Sequence, residues 1–309
     1  MINEIIDFLN KTVSNDGYYV NEFLPDIFFG KDKDNNIVCA KLNTSKEMAF
    51  SMSTKAITLY QNYHFTFTTN DKTIDGNYDL IVLNKSFVDN KKTFINLCLN
   101  FYRNDYDGSV IELTTDLIDM YKISPNTDDL FEEGLWAEFF TILYINETYG
   151  INISDKWHND IYQKFDFSLN DNKKIEVKAT SKEIREHKFS HEQLYTDYGV
   201  LISSVQLRTD DNGISVFDLY NQIKSLFPTK YDILLRIEQK LLQLEKNASK
   251  KYDIEYARSH IRFYMNENIP HFKLEEPDGV HGTEYTVVLE KEEYLEDKDI
   301  VKFLSNNNY

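Results

Sequence analysis

The sequence has only two cysteines, Cys39 and Cys98, among its 309 residues. Two thiols exclude a disulfide-rich secreted scaffold and a zinc site built from four thiolates, and they fit a reducing compartment. Five prolines and ten glycines are too few for a long flexible linker. No run approaches 18 apolar residues, and the chain starts with neither a basic nor a continuously apolar segment. We therefore predict no membrane span, no secretion signal and a cytoplasmic protein.

Basic residues are also scarce, with 34 Lys and Arg against 51 Asp and Glu and a formal charge of −17. This acidity argues against a protein that coats nucleic acid, because phosphates repel a negative surface. The segment from Lys156 to His191 differs, since it holds eight basic and six acidic residues. Within it, Lys182, Arg185 and Lys188 recur at every third position and are candidates for backbone contacts with nucleic acid. An ordinary solvated face explains them almost as well.

Apolar residues make up 41% of the chain and aromatic residues 14%, which is enough for a sizeable core. We predict an α/β protein with a β-rich N-terminal domain at residues 1–125 and a second domain at 126–309, separated near Pro125. In the second domain the pattern predicts a helix at 130–149, strands near 162–169, 173–179 and 199–207, and helices near 215–226 and 231–246.

The helix at 130–149 carries a carboxylate within an apolar stripe. Steps of three and four give Phe131, Leu135, Glu138, Ile142 and Ile145, so Glu138 faces the core. Burying an ionised carboxylate costs on the order of several kcal/mol unless a cation or strong hydrogen-bond donors compensate for it. Glu138 is therefore a candidate site residue, although pairing with a buried Arg or Tyr, or a place at the edge of the stripe, would also account for it.

Two further carboxylates and a lysine lie in the strands that follow. Asp166 alternates with Phe165 and Phe167, and Glu176 and Lys178 alternate with apolar residues. If the two strands pair, these polar side chains share one surface, where a divalent cation would relieve the repulsion of the acids. A solvated edge strand and a solvated ion pair are the ordinary alternatives.

The order Glu138, Asp166, Glu176 and Lys178 resembles the PD-(D/E)xK nuclease superfamily. The resemblance extends, over residues 130–194, to the bacterial group described as PD-(D/E)xK motif proteins, which is associated with restriction and phage defence. The segments that carry it are Gly134-Leu135-Trp136-Ala137-Glu138-Phe139-Phe140, Trp157, Phe165-Asp166-Phe167, Ile175-Glu176-Val177-Lys178-Ala179-Thr180 and Ser190-His191-Glu192-Gln193-Leu194. In this chain Phe165, and not a proline, precedes Asp166.

The resemblance implies a restriction-endonuclease-like core, a mixed sheet flanked by helices, at about 126–226. It implies that Asp166 and Glu176 bind Mg²⁺, or Mn²⁺ as a substitute, with Glu138 as a further ligand or ligand orienter and Lys178 as the catalytic lysine. Gln193 would be the polar residue on the helix behind the strand. Ser190 to Gln193 equally fits a helix capping box, so the role of Gln193 stays open.

These inferences together predict a metal-dependent DNA endonuclease of a restriction or phage-defence system. A homodimer is expected, because one site cuts one DNA strand and two sites are needed to cut both. Partner proteins of the system are expected to help this acidic chain bind DNA. The N-terminal domain is expected to read DNA or to form the dimer. A structure-selective repair or recombination nuclease, and a non-catalytic binding or assembly module that keeps the fold, are the alternatives. His187 and His191 are expected at a solvated helix edge more than at phosphate, and Trp136 and Trp157 in the core.

Overall fold

The structure is a computed structural model, and it describes residues 1–14, 16–45, 48–103, 108–122, 129–157, 164–226, 231–242, 244, 250–275, 277, 279–280 and 282–305. The chain divides into two compact units. The first contains Met1–Ile123 and Thr229–Glu238, and the second contains Ser124–Pro228 and Gln239–Tyr309. The domain boundary predicted near Pro125 lies outside the described residues.

The first unit is built on a six-stranded sheet with helices before and after its strands. The helices are α1 (Ile2–Lys11), α2 (Lys91–Arg103) and α3 (Val110–Lys122). The strands are β1 (Tyr18–Leu24), β2 (Ile27–Asp32), β3 (Ile37–Leu42), β4 (Phe50–Ser53), β5 (Ile57–Thr68) and β6 (Thr73–Leu83). Strands therefore dominate the first 85 residues, and β2 and β3 form an antiparallel hairpin.

The sheet of the first unit closes on itself. Its order is β1-β2-β3-β6-β5-β4, and β1 also pairs in parallel with β5 through Tyr18↔Phe67 and Tyr19↔Thr68. One set of alternating apolar side chains forms a single cluster that includes Val20, Val38 and Leu80. Alternation along each strand thus gives the first unit a core of its own.

The second unit contains the remaining elements in mixed α/β order. Its helices are α4 (Asp129–Tyr149), α5 (His191–Leu194), α6 (Val216–Leu226), α7 (Tyr231–Leu242, shared with the first unit), α8 (Ile254–His260) and α9 (Asp297–Ser305). Its strands are β7 (Phe167–Asn170), β8 (Lys173–Thr180), β9 (Glu186–Ser190), β10 (Gly199–Gln206), β11 (Thr209–Ser215), β12 (Lys251–Tyr252), β13 (Ile261–Met265) and β14 (Glu284–Val288). None of the helices among the described residues is long and apolar enough to cross a membrane.

A four-stranded sheet of order β13-β10-β8-β7 forms the centre of the second unit. Strands β8 and β10 are parallel, and β7 and β13 pair antiparallel at the two edges. Helix α4 packs on the face that carries Ser203, because Oγ1 of Thr141 and Oγ of Ser203 are 3.0 Å apart. Glu176, Lys178 and Ser204 project from the opposite face.

Helix α4 is buried more completely than a single stripe predicts. Besides Leu135, Ile142 and Ile145, the buried set includes Trp136, Ala137, Phe139, Phe140 and Leu143. A helix that is apolar on most sides belongs inside a domain. The two tryptophans are fully buried, as expected for packing residues.

Two local predictions are wrong. The strand predicted at 162–169 begins only at Phe167, with Asp166 in a bend before it, while residues 162–163 lie outside the described range. The segment with His187 is strand β9, which pairs with β14, and not a solvated helix edge. Its alternation buries His187 and Phe189, whereas Lys188 is exposed.

Candidate functional site

Asp166 is held at the point where strands β7 and β8 separate. The pairing of these strands runs from Asn170 to Phe167, which lies opposite Ile175. Beyond it, the backbone N–H of Val177 donates to Oδ2 of Asp166 over 2.7 Å instead of to a strand partner. Burial raises the pKa of Asp166, although this N–H and the positive charge of Lys178 oppose the rise. The end of the strand ladder therefore fixes one carboxylate beside β8.

Glu176 is the most enclosed of the three acids, with 4% of its surface exposed. Its Oε1 accepts from Nε2 of Gln193 over 2.6 Å and lies 2.7 Å from Nζ of Lys178. Its Oε2 is buried without a hydrogen-bond partner among the described residues. The ordinary alternative of a solvated ion pair does not describe Glu176, because β9 and α5 cover this face of the sheet.

Glu138 reaches the same region from helix α4. Its Oε2 accepts from Nε1 of Trp157 over 2.7 Å. Burial, followed by the negative charge of Asp166, raises the pKa of Glu138 to about 8, and Glu176 adds to the rise. The same two causes, burial first and Asp166 second, raise the pKa of Glu176 to about 8. Glu138, Asp166 and Glu176 thus form one electrostatically coupled carboxylate cluster.

Lys178 follows Glu176 by two residues and points from the same face of β8. Besides its ion pair with Glu176, its Nζ lies 5.3 Å from the centroid of the Phe189 ring on β9. About a fifth of the lysine side chain is exposed, against 6% for the side chain of Glu176. The ammonium is therefore the more accessible partner of the pair.

Gln193 makes the hydrogen bond of a capping box and also reaches the carboxylate cluster. Its Oε1 accepts the backbone N–H of Ser190 over 3.1 Å, which is the return bond of a capping box. Its Nε2 donates to Glu176 and, at 3.3 Å, to the carbonyl of Lys164. One amide therefore joins the start of α5 to the carboxylate cluster.

The carboxylate cluster has the chemistry of a cation site. A buried carboxylate oxygen without a donor, together with neighbouring acids whose ionisation is disfavoured, is relieved by a bound cation. Within the described residues, no three His, Cys, Asp or Glu side chains are already arranged around a common point as metal ligands. Mg²⁺ commonly takes only one or two protein carboxylates and completes its shell with water and substrate oxygens. The residues present fit such a site.

A groove of about 410 Å³ lies next to Lys178. Lys182, Lys188, Thr180 and Ser181 contribute to its walls. The Nζ of Lys182 is 2.7 Å from Oε1 of Glu186, and Lys188 pairs with Glu284, so both lysines are held in exposed ion pairs. These two lysines remain accessible from the groove.

Arg185 does not belong to this surface. It is fully buried, and its guanidinium donates to the carbonyl and Oγ of Ser204, both at 2.7 Å, to Oε1 of Gln206 and to the carbonyl of His260. His187 also lies within 2.6 Å of Oγ of Ser204. The prediction that Arg185 contacts nucleic acid is wrong, because its side chain is buried. Lys182 and Arg185 precede strand β9, and their three-residue spacing does not reveal which of them is exposed.

Lys240 is a cation near the cluster that the sequence did not indicate. It lies on α7, in the part assigned to the second unit, and it interacts electrostatically with both Glu138 and Asp166. About 100 residues separate it from Glu138 in sequence, and no local pattern connects them. Only the folded arrangement of α4 and the end of α7 brings this charge to the site.

Comparison with protein families gives a match over residues 117–290, which is more than half of the chain. The matching family is described as "Putative PD-(D/E)XK family member, (DUF4420)". Neither the comparison with curated proteins nor that with solved structures returned a match. The matched range includes every residue of the carboxylate cluster, Lys178, Gln193 and Lys240.

Proposed function

The chain belongs to this PD-(D/E)XK family, and on that premise we propose that it is a divalent-metal-dependent endonuclease that hydrolyses DNA phosphodiester bonds. The observation that carries the proposal is the carboxylate cluster, in which Oε2 of Glu176 is buried without a donor and Lys178 stands beside it. The sheet β13-β10-β8-β7 with α4 on one face would be its restriction-endonuclease-like core.

Asp166 and Glu176 would hold Mg²⁺, or Mn²⁺ in its place, and Glu138 would complete or orient the site. When bound, the cation supplies Lewis acidity and makes a coordinated water more acidic. Gln193 and Lys178 fix Oε1 of Glu176, which would leave Oε2 of the same carboxylate available to hold the cation. Val177 fixes Asp166 in the same way through Oδ2.

Lys178 would orient the attacking water and stabilise negative charge that grows on the phosphate. The oxygen of water bonds to phosphorus as the bond from phosphorus to the leaving oxygen breaks. The water gives one proton to solvent, and the leaving oxygen takes up one proton from solvent. The partial exposure of Lys178 supports this role, because its ammonium can face a substrate while its partner Glu176 stays enclosed.

DNA would approach along the groove that Lys182 and Lys188 line. Its neutral to basic surroundings contrast with a chain of charge −17. The first unit would read DNA or form a homodimer, which would supply the second site needed to cut both strands. A cytoplasmic restriction or phage-defence system, with partner proteins that help an acidic chain reach DNA, is the setting that we propose.

A non-catalytic binding module that keeps this fold is the second candidate. The direct ion pair of Lys178 and Glu176 favours it, because such a pair can be purely structural. Metal titration separates the two candidates. We expect binding of Mn²⁺ that Asp166→Ala abolishes in the nuclease, and no binding at millimolar metal in the module.

The decisive experiment is plasmid cleavage in Mg²⁺ or Mn²⁺ by the wild type and by Lys178→Ala, with Lys302→Ala on exposed α9 as the matched control. We expect cleavage by the wild type and the control, and a loss of at least about 100-fold in Lys178→Ala. Equal cleavage by all three would contradict the proposal. Activity confined to branched DNA would replace restriction by repair or recombination.

A further inference from the structure

Lys240 extends from the end of helix α7 over an aromatic ring of helix α4. Its Nζ lies 5.6 Å from the ring centroid of Phe131. Phe131 precedes Glu138 by two helical turns on the same side of α4. The side chain is half-buried, so the ammonium is held along the helix that carries Glu138 and is not free to sample the solvent widely.

Among the residues that the structure describes, Lys240 has no close anionic partner. In the described part of the chain, no carboxylate oxygen lies within 4 Å of its Nζ, and none of its N–H groups makes a hydrogen bond. The acids in the first turns of α4 contact another residue: Oε1 of Glu132 accepts the backbone N–H of Lys250, and Glu133 lies 3.7 Å from Lys250 Nζ. Lys240 thus differs from Lys178, which is bonded to Glu176.

The anions that attract Lys240 at longer range are Glu138 and Asp166. In the proposed nuclease these carboxylates would bind a divalent cation, so their negative charge would no longer compensate the positive charge of Lys240. A half-buried ammonium with unused donors is then stabilised by an incoming anion. The anion that a phosphodiester substrate brings to this place is a phosphate oxygen.

We propose that Lys240 is a second phosphate-binding residue of the site, which holds a phosphate of the DNA backbone next to the carboxylate cluster. The inference rests on the proposed function and adds a residue to it. The two lysines would have different roles: Lys178 orients the attacking water, and Lys240 binds a phosphate of the substrate. Loss of Lys240 should therefore weaken substrate binding more than it slows the chemical step.

The test measures binding of a fluorescent DNA duplex in Ca²⁺, with a gel to verify that the duplex stays intact, for the full-length wild type, Lys240→Met, Lys240→Arg and Lys302→Met. We expect Lys240→Met to bind about fivefold more weakly and to lower the slope of log K against log salt by about 1. Lys240→Arg should stay within about twofold, and Lys302→Met should match the wild type. In Mg²⁺, Lys240→Met should raise KM with little change in kcat.

Unchanged affinity and salt slope in Lys240→Met would overturn the inference while the proposed function stands on wild-type cleavage. A wild type that neither binds nor cuts DNA would overturn both. Thermal melting of each variant verifies the fold. If Lys240→Met melts early, Lys240→Gln replaces the ammonium by a neutral polar group and is subject to the same two outcomes.

Discussion

The amide nitrogen of Gln193 lies 2.6 Å from Oε1 of Glu176, while the amide oxygen of the same side chain accepts the backbone N–H of Ser190. One residue thus serves the helix cap and the carboxylate cluster through opposite ends of its amide. The two roles can be separated because they need different chemistry: the cap requires an acceptor, and Glu176 requires a donor.

Gln193→Glu should keep the cap and disturb the site, because Glu is an equally good capping-box residue but cannot donate to a carboxylate. We expect a loss of activity of about tenfold or more, since a hydrogen bond to a charged group contributes about 1.5–3 kcal/mol. We also expect a loss of stability near neutral pH that lower pH relieves, because the new carboxylate repels Glu176 while the cap remains. Gln193→Ala should lose both activity and about 1 kcal/mol of stability. Calorimetry and plasmid cleavage provide the two measurements, and full activity in Gln193→Glu would limit Gln193 to the cap.

Trp157→Phe removes the donor to Oε2 of Glu138 and keeps a buried aromatic ring. Because this hydrogen bond lowers the pKa of Glu138, its loss should leave more of the acid protonated near neutral pH. We expect Mn²⁺ to bind about tenfold more weakly, as is usual when a partner of a metal ligand is removed.

The matched control for Trp157→Phe is Trp136→Phe, since Nε1 of Trp136 donates to the carbonyl of Ile214 and not to an acid. Titration calorimetry compares the two variants. Equal weakening in both would mean that general packing, and not the bond to Glu138, controls cation binding.

The stability of the metal-free protein should fall as the pH rises from about 6.5 to 8. Burial and then Asp166 raise the pKa of Glu138 and of Glu176 to about 8, so the folded state keeps protons that the unfolded state has already released. Each carboxyl contributes at most about 1.4 kcal/mol per pH unit in this window. Below it His187 has the opposite effect, because burial and then Arg185 lower its pKa to about 3 and its neutral form stabilises the fold as the pH rises.

Urea unfolding in EDTA at several pH values measures this trend. Glu138→Gln should reduce the slope above pH 6.5, whereas Glu293→Gln, at an exposed position, should not. Added Mg²⁺ should flatten the wild-type profile. Stability that is constant or increases over this window would contradict the coupling of the three acids.

Arg185→Met should unfold the second unit more easily without a specific effect on DNA binding. The substitution leaves the acceptors on Ser204, Gln206 and His260 buried without their donor, which we expect to cost about 3 kcal/mol or more. Lys182→Met, at an exposed position, should leave stability within about 0.5 kcal/mol. Denaturant titration tests this pair, and the reverse order of the two effects would restore Arg185 as a surface contact.

Glu138 on α4, Asp166 just before β7, and Glu176 and Lys178 on β8 could be singled out because their signals are local. An acid within the apolar pattern of a helix, and alternation in a strand, both mark side chains whose polarity conflicts with their place. Arg185 and Lys240 could not be placed in this way. The burial of Arg185 depends on Ser204 and Gln206 of a neighbouring strand, and the position of Lys240 depends on how the end of α7 meets α4.

The capping box at Ser190 shows a second limit of structure prediction from the sequence alone. It is present, but it begins a helix of only one turn, and the preceding strand has the period-two burial of His187 and Phe189. That alternation was available in the sequence, yet His187 and His191 were expected at a solvated helix edge because charged residues flank them. Charge spacing is weaker than apolar spacing because solvent accepts charges on either kind of element.

The pairing of Tyr18 with Phe67 in the first unit has a consequence for biosynthesis. Its two strands are about fifty residues apart, so the ring of strands cannot close until the ribosome has released most of that unit. Until then the first hairpins expose unpaired edges that can associate with other chains. Cellular yield should therefore depend on translation speed and chaperone supply through this amino-terminal region, independently of any chemistry at Lys178.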